Sequence, residues 1–165
     1  MKSLILSCII ILTLSLSALN AVYADSATWS TNPISNDWNT AENWTPNTVP
    51  NGPDDIATFE LSHQTNVFVS SLVEVNEVIF SPGATSFNIN ATDGRSLTIS
   101  GIGITNNSGI AQNFVAKTFS GFSLTNNATA GDMTFLTLKG GHGTKIQAVL
   151  RPFLIPRAPV MARSF

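Results

Sequence analysis

Few side chains in this sequence are of the types that carry out catalysis near neutral pH. The two histidines, His63 and His142, are the side chains that could act as bases in that range. The carboxyl groups of Asp54, Asp55 and Glu60 could form a pair for glycoside hydrolysis, or offer oxygen ligands to calcium. We favour a third interpretation, in which the Asp pair anchors the neighbouring Pro-Gly turn through side-chain to backbone hydrogen bonds.

The sequence motifs of the common enzyme and cofactor-binding classes are absent. The chain has no Gly-x-Ser-x-Gly elbow to expose a nucleophilic serine, and it has no Walker loop, zinc-ligand spacing or dinucleotide fingerprint. The sequence therefore predicts no catalytic, cofactor-binding or metal-binding residue, and a protein that is not an enzyme.

All three tryptophans, Trp29, Trp38 and Trp44, lie within one short segment near the start of the chain. Exposed and coplanar rings would form a platform on which sugars stack, whereas buried rings would fill one end of a hydrophobic core. We favour buried rings that close the end of the fold. Carbohydrate stacking on these three residues remains the alternative.

Residues 1–24 have the pattern of a secretory signal peptide. Lys2 precedes an apolar stretch over 4–19, and small residues precede an expected cleavage point after Ala24. Polar Ser and Thr interrupt the apolar run, which argues against a membrane anchor. Cleavage would remove Cys8, the one cysteine, so the exported chain must rely on packing and backbone pairing in place of disulfides.

The distribution of charge divides the rest of the chain in two. All ten acidic residues lie within 25–138, and this acidity disfavours binding to nucleic acid. Residues 139–165 carry five basic residues, no acidic residue, and three prolines that would interrupt a helix. This tail could be a basic peptide for a membrane surface or nucleic acid, or a non-native terminus produced by a frameshift or premature stop. We favour the second interpretation and expect the tail to be poorly ordered.

Two segments twenty positions apart resemble each other. LTISGIGITNNS (97–108) and KTFSGFSLTNNA (117–128) are identical at six of twelve positions, and Ile104 corresponds to Leu124. This repeat predicts stacked strands in which Asn106 lies over Asn126 at a corner, with hydrogen bonds along the stack. Upstream, alternating apolar residues and Gly, Pro and Asn turns predict further short strands.

We therefore predict an all-β fold, a right-handed parallel β-solenoid (β-helix) fragment with an irregular Trp-rich N-terminal cap. The expected organisation is a signal peptide (1–24), the cap (25–60), solenoid coils of about 20 residues (61–138) and the basic tail (139–165). A cap is expected because the first coil of a solenoid otherwise exposes an unpaired strand edge. A leucine-rich repeat also fits part of the spacing, but Gly109 and Thr129 stand where that frame needs an aliphatic residue.

The segment ATWSTNPISNDWNTAENWTPNTVPNGPDDIATF (27–59), followed by VNEVIFSPGATSFNI and LTISGIGITNNSGIAQNF, resembles a known family. It is similar to the start of bacterial secreted proteins with autotransporter-associated β-strand repeats, and the resemblance extends over about 27–135. The resemblance implies a passenger-like surface or extracellular protein. Family members usually continue through many more coils, whereas this chain changes to the basic tail after very few.

These observations predict a secreted or cell-surface, adhesin-like structural protein of bacterial type, without catalysis or cofactor. The expected partners are extracellular polysaccharide or a neighbouring cell surface; no nucleic acid, no membrane after signal cleavage and no specific oligomer are expected. The first alternative is a carbohydrate-binding module that uses Trp29, Trp38 and Trp44. A polysaccharide-degrading enzyme on a β-helix is a second, less favoured alternative.

Overall fold

The computed structural model describes residues 25–139 and 145–148; about half of these residues lie in strands, and the regular secondary structure is almost entirely β. The strands are β1 (Ala27–Trp29), β2 (Trp44–Thr45), β3 (Gly52–Phe59), β4 (Asn66–Val69), β5 (Leu72–Phe80), β6 (Asn88–Ala91), β7 (Ser96–Asn106), β8 (Gln112–Lys117), β9 (Gly121–Leu124), β10 (Thr134–Lys139) and β11 (Lys145–Ala148). A 3-10 helix (Ala41–Asn43) precedes β2. The predicted signal peptide lies outside the described residues.

From β3 onwards the chain alternates between two parallel sheets. The larger sheet has the order β11-β9-β7-β5-β3-β1-β2, and the smaller sheet has the order β10-β8-β6-β4. Each coil contributes one strand to each sheet, so β3 to β10 make about four turns of a solenoid. This confirms the predicted β-solenoid. A leucine-rich repeat is excluded as the architecture of these coils, because both sides of every coil are strands.

The interior consists of columns of apolar side chains, one column for each inward-facing strand position. Alternate residues of a strand point to opposite faces, so the period-2 pattern of the sequence directs every second side chain inwards. The parallel register then places like positions above one another. Three of the buried columns are Val67, Ile89 and Phe114; Val73, Leu97 and Phe122; and Val75, Ile99 and Leu124.

The vertical register differs from the predicted 20-residue repeat. Partner residues in β7 and β9 are 25 positions apart, and partner residues in the other neighbouring strands from β3 to β11 are 21 to 26 positions apart. Ile104 pairs with Val78 on one side and does not lie over Leu124, so that predicted match is wrong. Part of the variation comes from a bulge, where Asn76 of β5 faces three residues (100–102) of β7.

The predicted stack of Asn106 over Asn126 is also wrong. Asn106 donates hydrogen bonds from Nδ2 to the carbonyl of Ile110 at its own corner and to the carbonyl of Asp132 in the next coil. Asn126 has a positive φ of 54° and donates to the carbonyl of Ser100 at 2.6 Å. A hydrogen-bonded asparagine pair does exist in the smaller sheet, where Nδ2 of Asn88 donates to Oδ1 of Asn66 at 3.2 Å.

The N-terminal segment contacts the ends of both sheets. In the larger sheet, β1 pairs in parallel with β3, and the two-residue β2 pairs with β1 in the antiparallel direction. At the smaller sheet, Trp38 donates its backbone N–H to the carbonyl of Phe68, and Phe68 donates to the carbonyl of Asn36, both at 2.8 Å. The predicted cap boundary at residue 60 needs correction, because β3 is already part of the first coil.

At the other end, residues 145–148 form a strand parallel to β9. These four residues, which the sequence places in the basic tail (139–165), extend the larger sheet by one strand. Residues 140–144 and 149–165 lie outside the described residues. Within 25–139 and 145–148, no helix has the length and apolar character needed to cross a bilayer.

Candidate functional site

The three tryptophans form one cluster at the N-terminal end of the core. The ring centroids of Trp29 and Trp44 are 5.1 Å apart with an interplanar angle of 82°, and those of Trp38 and Trp44 are 4.9 Å apart at 67°. The ring of Phe59 lies within 6.1 Å of all three. Edge-to-face contacts of this kind stabilise aromatic pairs by about 0.5–1.5 kcal/mol beyond the effect of burial.

Each indole N–H in the cluster donates to a backbone carbonyl. Trp29 donates to Gln64 at 3.0 Å, Trp38 to Pro50 at 3.1 Å, and Trp44 to the carbonyl of Trp38 at 2.6 Å. A buried indole N–H without a partner would be costly, so these bonds make complete burial of the rings favourable. They also connect the N-terminal segment to the loops on either side of β3.

This geometry is that of plugs and not of a sugar-binding platform. The side chains of Trp29, Trp38 and Trp44 are at most 1% exposed, and the two closest ring pairs are strongly inclined to each other. Stacking on a sugar requires an exposed ring face. The structure therefore brings the three residues together, as the sequence predicts, but presents none of their faces to a ligand.

The acidic residues singled out in the sequence do not form an acid–base pair. Asp55 is 5% exposed, and its carboxylate accepts hydrogen bonds from the backbone N–H of Asp25 at 2.6 Å and of Asn51 at 2.9 Å. Asp54 and Glu60 are exposed. Asp55 thus makes the side-chain to backbone hydrogen bonds expected of a residue that anchors a turn.

The remaining candidates are dispersed. His63 is exposed in the loop between β3 and β4, and its backbone N–H donates to the carbonyl of Thr31 at 3.0 Å. His142 lies outside the described residues. In the part of the chain that the structure describes, no three His, Cys, Asp or Glu side chains are grouped closely enough to bind a metal ion.

Several buried polar side chains, among them Gln112 and Glu77, were not identified from the sequence. Gln112, which is fully buried, accepts a hydrogen bond from the N–H of Phe87 at 2.8 Å and donates to the carbonyl of Thr85 and the hydroxyl of Ser108. Glu77 is 6% exposed and accepts a hydrogen bond from the hydroxyl of Thr105. Apart from Ser108, which is four positions from Gln112, the partners of both residues are 25 to 28 positions away, and no local pattern marks them.

The outer surface of the larger sheet carries shallow grooves lined by both polar and apolar residues. One groove of about 360 Å³ runs across the outer face of β3, β5 and β7. Its lining residues are Asn51, Gly52, Pro53, Leu72, Val73, Glu74, Ser96 and Thr98. Hydroxyl, amide and carboxylate groups beside the exposed Leu72 can hydrogen-bond and contact a polar polymer, and this requires no covalent step.

Comparisons of the chain with protein-family models, with curated protein sequences and with solved structures give no significant match.

Proposed function

We propose that this protein is a secreted or cell-surface structural protein of adhesin-like type, which acts by displaying a polar surface and carries out no catalysis. Its partners are extracellular polysaccharide or the surface of a neighbouring cell. The observation that carries the proposal is the set of vertical columns of polar side chains on the outer faces of both sheets.

These columns follow from the parallel register. On the larger sheet, Glu74, Thr98 and Ser123 occupy equivalent positions in three successive coils. On the smaller sheet, Asn66, Asn88 and Asn113 do the same. Neighbouring strands are about 4.8 Å apart, so each column offers hydrogen-bonding groups at a regular short spacing. A repetitive ligand, such as a polysaccharide, can engage several members of a column at once, and this raises the overall affinity above that of one contact.

Two further observations support the proposal. The polar side chains inside or beneath the surface, including Asp55 and Gln112, bond to backbone groups and so maintain the coils. The pattern of residues 1–24 and the resemblance of 27–135 to autotransporter-associated repeat proteins support export to the cell surface or the medium.

Localisation is tested by expressing the full chain in a bacterial host with a C-terminal epitope and separating cells from medium. The expected result is epitope in the medium or on the surface of intact cells, where added protease removes it. A matched chain with Leu4, Leu6 and Ile9 changed to Asp should remain inside the cell. Retention of the unaltered chain inside the cell would contradict the proposal.

Ligand binding is tested by sedimentation of the purified protein with insoluble cellulose, chitin, xylan and peptidoglycan, and by adhesion to intact bacteria. Thr98→Lys with Ser123→Lys alters the outer face of the larger sheet, and Asn88→Lys with Asn113→Lys alters that of the smaller sheet. Both double variants should have the far-UV circular dichroism spectrum of the unaltered protein. One of them should lose binding while the other still binds. Absence of binding to every surface, or equal binding by both pairs and the unaltered protein, would refute the display mechanism.

A further inference from the structure

We propose that the buried carboxylate of Asp55 is the docking site for the α-ammonium group that cleavage after Ala24 creates on Asp25. The proposal rests on the export step of the proposed function. The new N-terminus at Asp25 thereby has a structural role. Removal of residues 1–24 then stabilises the first coil.

The geometry around Asp55 already presents the Asp25 nitrogen to the carboxylate. The nitrogen of Asp25 lies 2.6 Å from Oδ1 of Asp55, while Oδ2 accepts the N–H of Asn51 at 2.9 Å. Gly52 leaves room for the carboxyl group, because a Cβ atom at this position would stand 3.1 Å from Oδ2.

The two residues after Asp25 keep its nitrogen in place. The hydroxyl of Ser26 accepts the N–H of Ile56 at 2.8 Å, and Ala27 pairs with Ala57 in the parallel ladder between β1 and β3. Residues 25, 26 and 27 therefore contact residues 55, 56 and 57 in step, and the ladder positions the new terminus against the Asp55 carboxylate.

Cleavage changes the chemistry of this contact. An endopeptidase of the export machinery adds one water across the bond between the Ala24 carbonyl carbon and the Asp25 nitrogen. Ala24 leaves as a carboxylate, and the nitrogen becomes an amine that takes up a proton, since its pKa in an unstructured chain is about 7.7–8.0. A neutral amide that donates one hydrogen bond thus becomes a cation with three donors, and charge-assisted hydrogen bonds are roughly twice as strong as neutral ones.

No side chain in the described residues supplies the positive charge that the buried carboxylate lacks. In the described residues the lysine and arginine side chains all belong to later coils; they are Arg95, Lys117, Lys139 and Lys145. The carboxylate of Asp55 is hydrogen-bonded by the backbone N–H groups of Asp25 and Asn51. The neighbouring charged groups are carboxylates, because Asp54 adjoins Asp55 and Glu77 pairs with Ile56 in the next strand. The α-ammonium group is therefore the natural counter-charge.

The test is a cycle of four full-length chains, each expressed from Met1, exported and purified. They are the unaltered chain, a chain with one glycine inserted after Ala24, Asp55→Asn, and Asp55→Asn with the inserted glycine. The glycine keeps the amide N–H of Asp25 and moves the ammonium group away by about 3.8 Å, one residue of chain. Mass spectrometry establishes each N-terminus before the melting temperatures are compared.

The inserted glycine should lower the melting temperature by about 3 °C or more in the unaltered chain, and should leave that of Asp55→Asn unchanged. Asp54→Asn is the matched control, since it removes an exposed neighbouring carboxylate and should preserve the full effect of the insertion. An equal fall in both backgrounds, or no fall in the unaltered chain, would overturn the docking site.

A second measurement needs only chains that retain Asp55. The α-amine of the unaltered chain should react with an acylating reagent about five times more slowly than that of the chain with the inserted glycine; equal rates would overturn the proposal. If mass spectrometry shows that the chain begins at Asp25 but the two α-amines are acylated at equal rates, docking is refuted and export stands. If the purified chain retains residues 1–24, export and docking are refuted together.

Discussion

Truncation of Trp38 is the most direct test of the closed end of the solenoid. This side chain is fully buried and contacts Trp44 and Phe59, and its indole N–H donates to the carbonyl of Pro50. Replacing a buried tryptophan with alanine costs about 3–5 kcal/mol through lost contacts and the cavity left behind. Loss of the hydrogen-bond donor adds about 1–2 kcal/mol. The sum is comparable to the whole stability of a small domain, which is about 5–15 kcal/mol.

The expected result is that Trp38→Ala is unfolded or loses most of its free energy of unfolding, while Trp38→Phe loses about 1–3 kcal/mol because it keeps a ring but no donor. Ile34→Ala is the control, since Ile34 is 73% exposed in the same segment and should change stability by less than about 0.5 kcal/mol. Urea unfolding followed by far-UV circular dichroism measures these differences. A Trp38→Ala protein of unchanged stability that no longer sediments with polysaccharide would refute the buried plug and restore the stacking platform.

Two further predictions concern the coils. Gly103→Ala should destabilise the protein by more than about 2 kcal/mol, because Gly103 has a φ of 115° and an added Cβ would overlap the backbone of Thr129. Gly83→Ala is the control and should cost about 1 kcal/mol, because the space around Gly83 is open. Thermal melts in which Gly83→Ala is the less stable variant would contradict the register of the strands. Gln112→Ala should cost about 2–3 kcal/mol, because it removes three hydrogen bonds from a fully buried amide. Asn88→Ala removes one exposed bond and should cost under about 1 kcal/mol, and equal unfolding midpoints for these two variants would be inconsistent with the structure.

The kind of fold could be predicted from the sequence, because it depends on local signals. Alternating apolar residues, frequent turn residues and clustered tryptophans each have a direct physical meaning, and together they indicate stacked strands with a covered first coil. The burial of the rings follows from the same reasoning. Their hydrogen-bond acceptors, such as the carbonyls of Gln64 and Pro50, depend on long-range packing that no local pattern reveals.

The register could not be predicted, because the same residue types occupy a strand interior in one coil and follow a turn in the next. Ser100 and Gly101 lie inside β7, at the bulge opposite Asn76. Ser120 and Gly121, their partners in the 20-residue alignment, follow a turn in which Thr118 and Phe119 have positive φ values. Sequence identity therefore aligned a strand interior with a turn. The buried columns, which determine the true offset of 25, contain residues that share apolar character without being identical.

The pairing of the N-terminal segment with both sheets covers the strand edges at that end of the solenoid. At that end the larger sheet finishes in β2, which is two residues long, and the smaller sheet is joined by the bridge between Asp37 and Phe68. A second molecule approaching this face finds almost no continuous row of backbone donors and acceptors to extend. We expect this covered end to disfavour head-to-tail association through strand addition, the process by which exposed strand edges seed fibres.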